Sequence, residues 1–509
     1  MVMGRRWFLV ERGGQMEMGL YPVASPLVNT VKASNDCEGR NQMKRLKEDW
    51  LLLLREFNFV SSSLSQLLNN LDNALQVKTH KRRFVTSSAA ADDDDIITNF
   101  PEDLIIPILE RLPIEDAIRT SVLSKNWRYR WTTIRTLDFS RQFTEKLSKN
   151  GAFSHNGFIR VINKIMIHHQ GPIEKFVIHI PKEIALDSFQ EVDQWMLLLS
   201  RKSVNELVII KFNWVYQIPS SVFSCVELRL LVLYNCIFKT PLEFQGFPNL
   251  QEIILKKVTF EDSLRQIMIN LPQLKTLGLE ECVNVNNFNI KAENVQRLRV
   301  VSCPDAILLR LLHSERLKEV IICLSKPMKD FLQVGRFNLV RMLSKLPNLV
   351  TFTIDGYFLK ATRKFPDSLP QAIKRLQRLR FQSLSFGDLD LLQSALCMLR
   401  NSTNLKVLRV THMPMGSEAD LDIASNHLES PECPDQKLSN LKKVEITSLE
   451  GSRPELLFIK LLLDHSPHLE KMIIRPSATV DAEKRCNIAK DVMLFPRAST
   501  KAKMVFLDP

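Results

Sequence analysis

Apolar residues recur through the middle of the chain in the order L-x-x-L-x-L-x-x-(Cys, Asn or apolar). Four runs fit this order fully. They start at residues 228, 250, 274 and 295, so the intervals are 22, 24 and 21 residues. The alternating centre of each run predicts a short strand with two inward side chains. Because one such unit cannot bury its apolar face alone, the regular interval predicts stacked units that share a core. The sequence therefore predicts an α/β solenoid, with a curved parallel sheet and outer helices.

Weaker units continue the pattern on both sides, from 173–178 to 405–410. Their intervals are longer and less regular, which predicts longer helices or loops on the outer side. One outer helix is predicted at 263–271, between two strands. The x positions of the strands face away from the core and would form the surface that holds a target, but the pattern does not indicate which of them contact it. Examples are Val232, Ile254, Gly278 and Arg299.

A second apolar segment, residues 99–139, has helical rather than alternating spacing. Pro101 suits the first turn of a helix, and five apolar residues then recur on one stripe: Leu104, Ile105, Ile108, Leu109 and Leu112. Pro113 ends this helix, a second helix follows, and a third carries Trp127 and Trp131 one turn apart. About 40 residues bury too little surface to be stable alone. The stripe must therefore pack against the rest of the chain or against a partner.

The same segment resembles the F-box of plant proteins, LPxDLxxxILxxLPxxxxxxxSxLSKxWRxxW. The matching positions are 101–104, 108–109, 112–113, 121, 123–125, 127–128 and 131. The resemblance implies that this module binds a Skp-type adaptor and, through it, a cullin scaffold. The residues expected to contact the adaptor are Pro101, Leu104, Ile108, Leu109, Leu112, Pro113, Leu123, Trp127 and Trp131.

Two positions depart from the F-box pattern. Phe100 replaces the usual leucine, which is a mild apolar exchange. Pro107 lies inside the first helix, where proline removes a backbone hydrogen bond at a cost of about 3 kcal/mol. Of the two departures, Pro107 is the one expected to weaken adaptor docking.

The remaining chain supports a division into four parts. Residues 96–140 would be the F-box, and residues 160–436 resemble a leucine-rich-repeat solenoid. Residues 437–509 resemble the FBD module that follows the repeats in many plant F-box proteins. Judged from its residues alone, this last part adds one or two repeat-like units that close the array, because an open solenoid end exposes core. A separate binding role is the alternative.

Residues 1–95 match neither resemblance and form a poorly defined extension. Apolar residues near helical spacing at 46–57 and 64–75 indicate one or two amphipathic helices. Marginal structure is the alternative, because short isolated helices are weak. The basic run 78–83 is interpreted as a solvated linker or a nuclear address, and the aspartates at 92–95 as a spacer at the domain boundary.

Composition narrows the class of partner. The net charge is +13, but no basic stripe is interleaved with aromatic residues, so nucleic-acid binding is not expected. The nine cysteines form no CxxC pair, which favours a reduced intracellular protein over a disulfide framework or zinc site. Cys236, Cys282 and Cys303 recur at an inward repeat position and are interpreted as small core residues. No apolar run approaches the roughly 18 residues of a membrane span. We expect no membrane partner and a location in the nucleus, the cytoplasm or both.

No sequence motif indicates catalysis. The chain lacks G-x-S-x-G, P-loop, H-E-x-x-H and dinucleotide fingerprints. The histidine pairs at 168–169 and 465–468 have no companions at metal spacing, so neither a metal nor a cofactor is expected. The resemblance implies a non-catalytic substrate-recognition subunit of a Skp-cullin-F-box type ubiquitin ligase, with an unknown target protein held on the repeats. The alternatives are a leucine-rich-repeat scaffold without ligase function and, on net charge alone, a nucleic-acid-binding protein.

Overall fold

The computed structural model describes residues 8–12, 15–19, 102–123, 125–149, 155–181, 184, 190–211, 215–261, 268–303, 315–324, 339–361, 371–414, 417–430 and 438–509. Near the start of the chain, Phe8–Arg12 and Gln15–Gly19 pair as an antiparallel hairpin. The helices, basic run and aspartate spacer predicted within 1–95 lie outside the described residues.

A small helical module precedes the sheet. It contains two α-helices and two 3-10 helices: α1 (Glu102–Leu109), α2 (Ile114–Arg119), Thr120–Val122 and Arg130–Thr133. Helix α1 continues through Pro107, which is exposed. The predicted third α-helix is absent: residues 125–129 form turns. Trp127 therefore lies in a turn, and Trp131 lies on the 3-10 helix that follows.

The predicted parallel sheet is confirmed, and it has fourteen strands. The strands are β1 (Thr136–Phe139), β2 (Lys175–Ile180), β3 (Glu206–Lys211), β4 (Leu230–Tyr234), β5 (Glu252–Lys256), β6 (Thr276–Glu280), β7 (Arg297–Val301), β8 (Glu319–Cys323), β9 (Thr351–Asp355), β10 (Arg378–Leu384), β11 (Val407–His412), β12 (Lys443–Leu449), β13 (Lys471–Pro476) and β14 (Lys503–Phe506). Each strand pairs in parallel with the next one along the chain. The sheet begins at Thr136, before the repeats were expected to start, and it continues through 437–509.

The alternating leucines set the register of this sheet. Leu231, Ile253 and Leu277 are register partners on successive strands, and all three are buried. Immediately before each strand, one more backbone hydrogen bond extends the ladder. The N–H of Gln251 donates to the carbonyl of Arg229 at 2.9 Å, and the N–H of Lys275 donates to that of Gln251 at 2.8 Å. Stacking therefore satisfies backbone groups as well as burying side chains.

A left-handed residue follows each strand from β4 to β7. The φ angles of Asn235, Lys257, Glu281 and Ser302 lie between 53° and 59°. This conformation turns the chain so that the following residue points into the core. That residue is a buried cysteine after β4, β6 and β7, at positions 236, 282 and 303, which confirms their interpretation as core residues.

The outer elements differ along the array. The helices are α3 (Arg141–Lys149), α4 (His155–His168), α5 (Gln190–Ser200), α6 (Leu339–Ser344), α7 (Gly356–Ala361), α8 (Leu389–Asn401), α9 (Glu418–Glu429), α10 (Arg453–His465) and α11 (Ala482–Leu494). Between β4 and β7, short strands and a 3-10 helix occupy these places instead. The helix predicted at 263–271 is wrong at its end, because Ile269–Asn270 is a strand paired with Ile290–Lys291.

The C-terminal segment continues the array. Helix α10 begins after the N-cap Ser452, whose N–H donates to the carboxylate of Glu455 at 3.3 Å. Near the end, the hydroxyl of Ser499 donates to the carbonyl of Leu469 at 2.7 Å, so the chain before β14 is tied to the preceding repeat. Strands β12 to β14 are thus the last units of the same sheet.

Candidate interaction surfaces

The structure divides the residues predicted to contact an adaptor by their exposure. Four are buried, with exposed fractions of 0% for Leu109 and Trp127, 7% for Leu123 and 8% for Trp131. Three are accessible: Ile108 and Leu112 are half-buried and Pro113 is exposed. Leu104 lies within α1, but neither its side chain nor Pro101 is among the described positions. Among the predicted contacts whose side chains are described, the accessible group is the one available to a partner without rearrangement.

Other apolar side chains of the helical module are exposed that were not among the predicted adaptor contacts. Val122 is 56% exposed and Tyr129 is 62% exposed, and Pro107 is exposed as well. We call the accessible set the module patch: Pro107, Ile108, Leu112, Pro113, Val122 and Tyr129. Exposed large apolar side chains of this kind are typical of interaction sites. The module therefore does not use all of its apolar surface within the chain.

The helical module is fixed to the first repeat by close backbone contacts. The N–H of Gln170 donates to the carbonyl of Thr132 at 2.9 Å, and Nε2 of the buried His169 lies 2.8 Å from the carbonyl of Ile134. Burial lowers the pKa of His169. A Cβ at Gly171 would lie 2.9 Å from Cα of Thr133, so only glycine permits this approach. These contacts hold the module in one orientation on the edge of the sheet.

The open face of the sheet is the second candidate surface. We use this name for the strand side chains that alternate with the buried ones. In its middle row, the register partners from β2 to β7 are Val177, Val208, Val232, Ile254, Gly278 and Arg299. The same row continues from β8 to β13 with Ile321, Thr353, Arg380, Arg409, Glu445 and Ile473. An apolar stretch thus gives way to a charged one along the array.

Charges on the open face of β1 to β7 are balanced. The four basic and four acidic residues are Lys175, Lys256, Arg297, Arg299, Asp138, Glu206, Glu252 and Glu280. Most form ion pairs across strands: Nζ of Lys256 lies 2.6 Å from Oε1 of Glu280, and Arg299 contacts the same carboxylate at 3.3 Å. This half of the face leaves little uncompensated charge.

Charges on the open face of β8 to β14 are not balanced. The seven basic and three acidic residues are Arg378, Arg380, Arg409, Lys443, Lys471, Arg475, Lys503, Glu319, Asp355 and Glu445. Asp355 is buried and accepts backbone hydrogen bonds from Leu324 and Phe358. The carboxylate of Asp355 therefore interacts with backbone N–H groups of the chain and does not compensate the basic residues of the open face.

A buried histidine–carboxylate pair joins the C-terminal repeats. Nε2 of His412, at the end of β11, lies 2.9 Å from Oε1 of Glu455 on α10. The other ring nitrogen lies 3.0 Å from the carbonyl of Leu384, so it must donate there. Burial alone would raise the pKa of Glu455, but hydrogen bonds from His412 and from the backbone N–H groups of Gly451 and Glu450 lower it. The pair is structural, since both side chains are almost fully enclosed.

The described residues contain no group of three or more His, Cys, Asp or Glu side chains placed to hold a metal ion. None of the helices in the described part of the chain combines the length and the hydropathy that crossing a bilayer requires. The two histidine pairs noted in the sequence have packing or surface positions: His169 is buried, whereas His168 and His468 are exposed. The features that the described residues offer to a partner are surfaces for protein contact.

The sequence did not single out the arginines of β10 and β11. Arg380 lies between two buried core residues, Leu379 and Phe381, and Arg409 lies between Leu408 and Val410. This alternation does identify both as open-face positions. Their proximity follows only from the register, which places them opposite each other on adjacent strands.

Comparison with known proteins gives three family matches in the order of the structural segments. Residues 97–138 match the F-box domain, and residues 192–410 match the repeats described as "FBD-associated F-box protein At5g56370, LRR repeats". Residues 429–474 match the FBD family. The matches follow one another along the helical module and the sheet.

Relatives match the chain over most of their own length. The F-box/FBD/LRR-repeat protein At1g13570 of Arabidopsis thaliana is 31% identical over 415 residues, which cover 81% of this chain and 98% of the relative. F-box/LRR-repeat protein 13 of the same plant is 23% identical, over 81% of this chain and 96% of its own length. An internalin of Listeria monocytogenes covers 69% of this chain and 88% of its own at 13% identity, with a TM-score of 0.30, too low to support an argument.

Proposed function

The chain belongs to the F-box/FBD/LRR-repeat proteins, and on that basis we propose that it is the substrate-recognition subunit of a Skp-cullin-F-box type ubiquitin ligase. In this function the helical module binds a Skp-type adaptor, and the open face of the sheet holds a target protein. The chain itself is not a catalyst. It would act in the nucleus, the cytoplasm or both.

The observation that carries this proposal is the module patch. A module of this size must bury its apolar residues to remain folded, and Leu109, Trp127 and Trp131 are indeed enclosed. Val122 and Tyr129 nevertheless remain more than half exposed. Leaving such residues in water is unfavourable unless a partner covers them. We therefore assign the adaptor contact chiefly to the module patch, with the buried residues shaping it from beneath.

The rigid attachment of the module explains how binding would promote ubiquitin transfer. Since the Gly171–Thr133 contact and the adjacent hydrogen bonds fix the module on the first repeat, an adaptor bound there has a defined direction relative to the sheet. A target on the open face is then held near the ubiquitin-loaded enzyme at high effective concentration. Tethering of this kind makes a bimolecular step effectively intramolecular.

A binding experiment with a purified Skp-type adaptor tests this function. Val122→Asp places a charge in the module patch without entering the core, because Val122 is exposed. We expect its adaptor affinity to fall by about 2 kcal/mol, roughly 30-fold, as for a central interface residue. Ile167→Asp is the matched control, because Ile167 is 75% exposed on α4, outside the helical module. Thermal melting checks that both variants fold.

Two results would favour the alternative, a repeat scaffold without ligase function. One is the absence of adaptor binding by the folded wild-type chain at micromolar concentration. The other is binding that Val122→Asp and Ile167→Asp weaken equally. Leu109→Asp does not test adaptor contact, because Leu109 is fully buried and its loss would unfold the module.

A further inference from the structure

The open face of β10 and β11 carries a group of positive charges with few acidic neighbours. Arg380 and Arg409 are register partners on these adjacent strands, so their backbones lie about 4.8 Å apart. Arg378 lies two residues before Arg380 on β10, on the same face. Arg380 and Arg378 are exposed, and the Arg409 side chain is 49% exposed. Three guanidinium groups therefore project from two neighbouring strands into solvent.

The hydrogen bonds of these arginines leave most of their donors available. Arg409 contacts Glu445 through Nε at 3.1 Å, and Arg378 donates from Nε to the hydroxyl of Thr351 at 2.9 Å. Within the described part of the chain, Arg380 has neither a hydrogen bond nor an ion pair. A guanidinium presents five donors in a fork that matches a carboxylate or a phosphate. Arg380 offers all of them.

The neighbouring positions of the same row carry shorter side chains than the arginines. In the same row, β9 contributes the buried Thr353 and β8 contributes the half-buried Ile321. Beyond these two positions in the row lies Arg299 of β7, already paired with Glu280 at 3.3 Å. A chain segment lying over Ile321 and Thr353 would meet an apolar surface and then the cations of β10 and β11.

We propose that Arg380, assisted by Arg378 and Arg409, is the subsite for an acidic side chain of the target, either a carboxylate or a phosphorylated residue within a protein segment. This inference rests on the proposed function, of which it specifies the class of target. It makes the C-terminal half of the open face the electrostatic part of the binding surface.

The electrostatics of the unoccupied face support this assignment. Partial desolvation and the positive charge of Arg409 lower the pKa of the Arg380 guanidinium, with a smaller contribution of the same sign from Arg299. The cations therefore repel one another, and Glu445, which pairs with Arg409, offsets this repulsion at Arg380 only in part. An incoming anion relieves that repulsion. The repulsion is already present in the free protein, so its relief contributes favourably to the free energy of binding.

A continuous nucleic-acid backbone fits this surface less well than a protein segment. Glu445 lies beside Arg409 in the row, and Glu280 contacts Arg299 from the neighbouring strand, so carboxylates lie on both sides of the arginines. They would repel successive phosphates. In addition, no open-face position of β8 to β14 is aromatic, whereas single-stranded nucleic acids are held by aromatic stacking. One or two negative charges in an otherwise neutral segment match the pattern better.

The test uses the immobilised full chain and degenerate peptide pools with a central glutamate, phosphoserine or glutamine. The fraction of each pool retained at about 0.15 M salt is measured, which screens exposed charges beyond about 8 Å. We expect about tenfold or greater retention of the glutamate or the phosphoserine pool over the glutamine pool. The preferred pool distinguishes a carboxylate from a phosphate target. Replacing Arg378, Arg380 and Arg409 by glutamine should abolish the preference.

The matched control removes the same charge from another part of the array. Lys460→Gln, Lys484→Gln and Lys490→Gln lower the net charge equally, and these lysines are exposed on α10 and α11. This triple variant should keep the preference. Arg380→Lys should keep part of it, because lysine supplies the charge but not the planar fork. Arg380→Gln should leave the melting temperature unchanged or raise it, whereas a purely structural arginine would lower it when lost.

Three outcomes would overturn the inference. The first is equal retention of all three peptide pools. The second is an equal loss of the preference for acidic pools in the arginine and the lysine triple variants. The third is stronger retention of single-stranded RNA than of the acidic pools, if the arginine triple variant loses that RNA binding. The adaptor is absent from this experiment. Its failure is therefore separate from a failure of the proposed ligase function, which the adaptor binding measurement decides.

Discussion

Strands β4 to β7 and strands β10 to β13 bury the same alternating side chains, yet their outer layers are built differently. The strands of the first group start 22, 24 and 21 residues apart, at 230, 252, 276 and 297. Those of the second start at 378, 407, 443 and 471, which are 29, 36 and 28 residues apart. Only the longer repeats contain α8, α9 and α10. The length of the connection therefore decides whether a helix forms on the outer side.

The two halves also differ in how they accommodate polar groups. The open face of β1 to β7 pairs its charges across strands, and the open face of β8 to β14 keeps an excess of arginine and lysine. Each half encloses a histidine, but only His412 has a carboxylate partner, Glu455. His179 of β2 is largely enclosed, and its Nδ1 lacks a hydrogen-bond partner among the described residues. In the first half the enclosed His179 therefore has no carboxylate partner within the described part of the chain, whereas in the second half His412 joins two repeats.

The largest effect should come from removing the Glu455 carboxylate. Glu455→Ala leaves His412 without its acceptor and three backbone N–H groups, at 450, 451 and 452, without theirs. Breaking a buried pair by removing one partner costs about 3–5 kcal/mol. We expect the urea midpoint at neutral pH to fall accordingly. Hydrogen exchange should increase first in β11 to β13 and not in β4 to β7.

A surface ion pair between α9 and α10 serves as the control for Glu455→Ala. Glu429 contacts Arg453 at 2.9 Å, and both side chains are substantially exposed. Glu429→Ala should cost less than about 1 kcal/mol, as exposed ion pairs do. Equal costs for the two variants would mean that the buried pair does not join the repeats, and the contrast between the halves would lose its main support.

The second effect concerns pH and the N-terminal half. Burial lowers the pKa of His179 from 6.5 to about 4; nearby Asp138 acts in the opposite direction and Arg141 in the same one. Between these values the unfolded chain binds a proton that the folded chain does not. Stability should therefore fall as the pH drops from about 6.5 to about 4, by on the order of 3 kcal/mol at most.

His179→Gln tests this pH dependence, because glutamine cannot take up the proton. Denaturation midpoints of the variant and of the wild-type chain should converge as the pH falls through this window. Glu455, in the C-terminal half, affects stability in a lower pH range. Its pKa is below the ordinary 4.5, so its stabilisation is present above that value and is lost as the pH falls further. Identical pH slopes for wild type and His179→Gln would show that His179 is not enclosed as described.

The strands could be predicted from the sequence because inward leucines at period two leave one possible register. The outer layer of β4 to β7 could not: an apolar run such as 263–271 suits a helix or a strand, and the short repeat length decides in favour of Ile269–Asn270 as a strand. In the helical module, the spacing of the apolar residues predicted helices. It did not indicate which apolar side chains pack within the chain and which stay exposed. Leu109, Trp127 and Trp131 proved to be core, whereas Val122, which was not among the predicted adaptor contacts, is exposed.

The smallest effect concerns backbone strain, which is present in both halves. Ser302 follows β7 with φ of 54°, whereas Ser448 lies within β12 with φ of 63°, beside a register shift. The left-handed conformation costs a non-glycine residue about 1–2 kcal/mol, and glycine loses about 0.5–1 kcal/mol through its freer unfolded chain. Ser302→Gly should thus raise stability by about 0.5 kcal/mol in urea denaturation, and Ser302→Val should lower it. Ser448→Gly should give a similar gain, since both serines turn the chain at a strand end. A loss of stability in Ser302→Gly would show that the serine side chain, and not the backbone angle, is what the end of β7 requires.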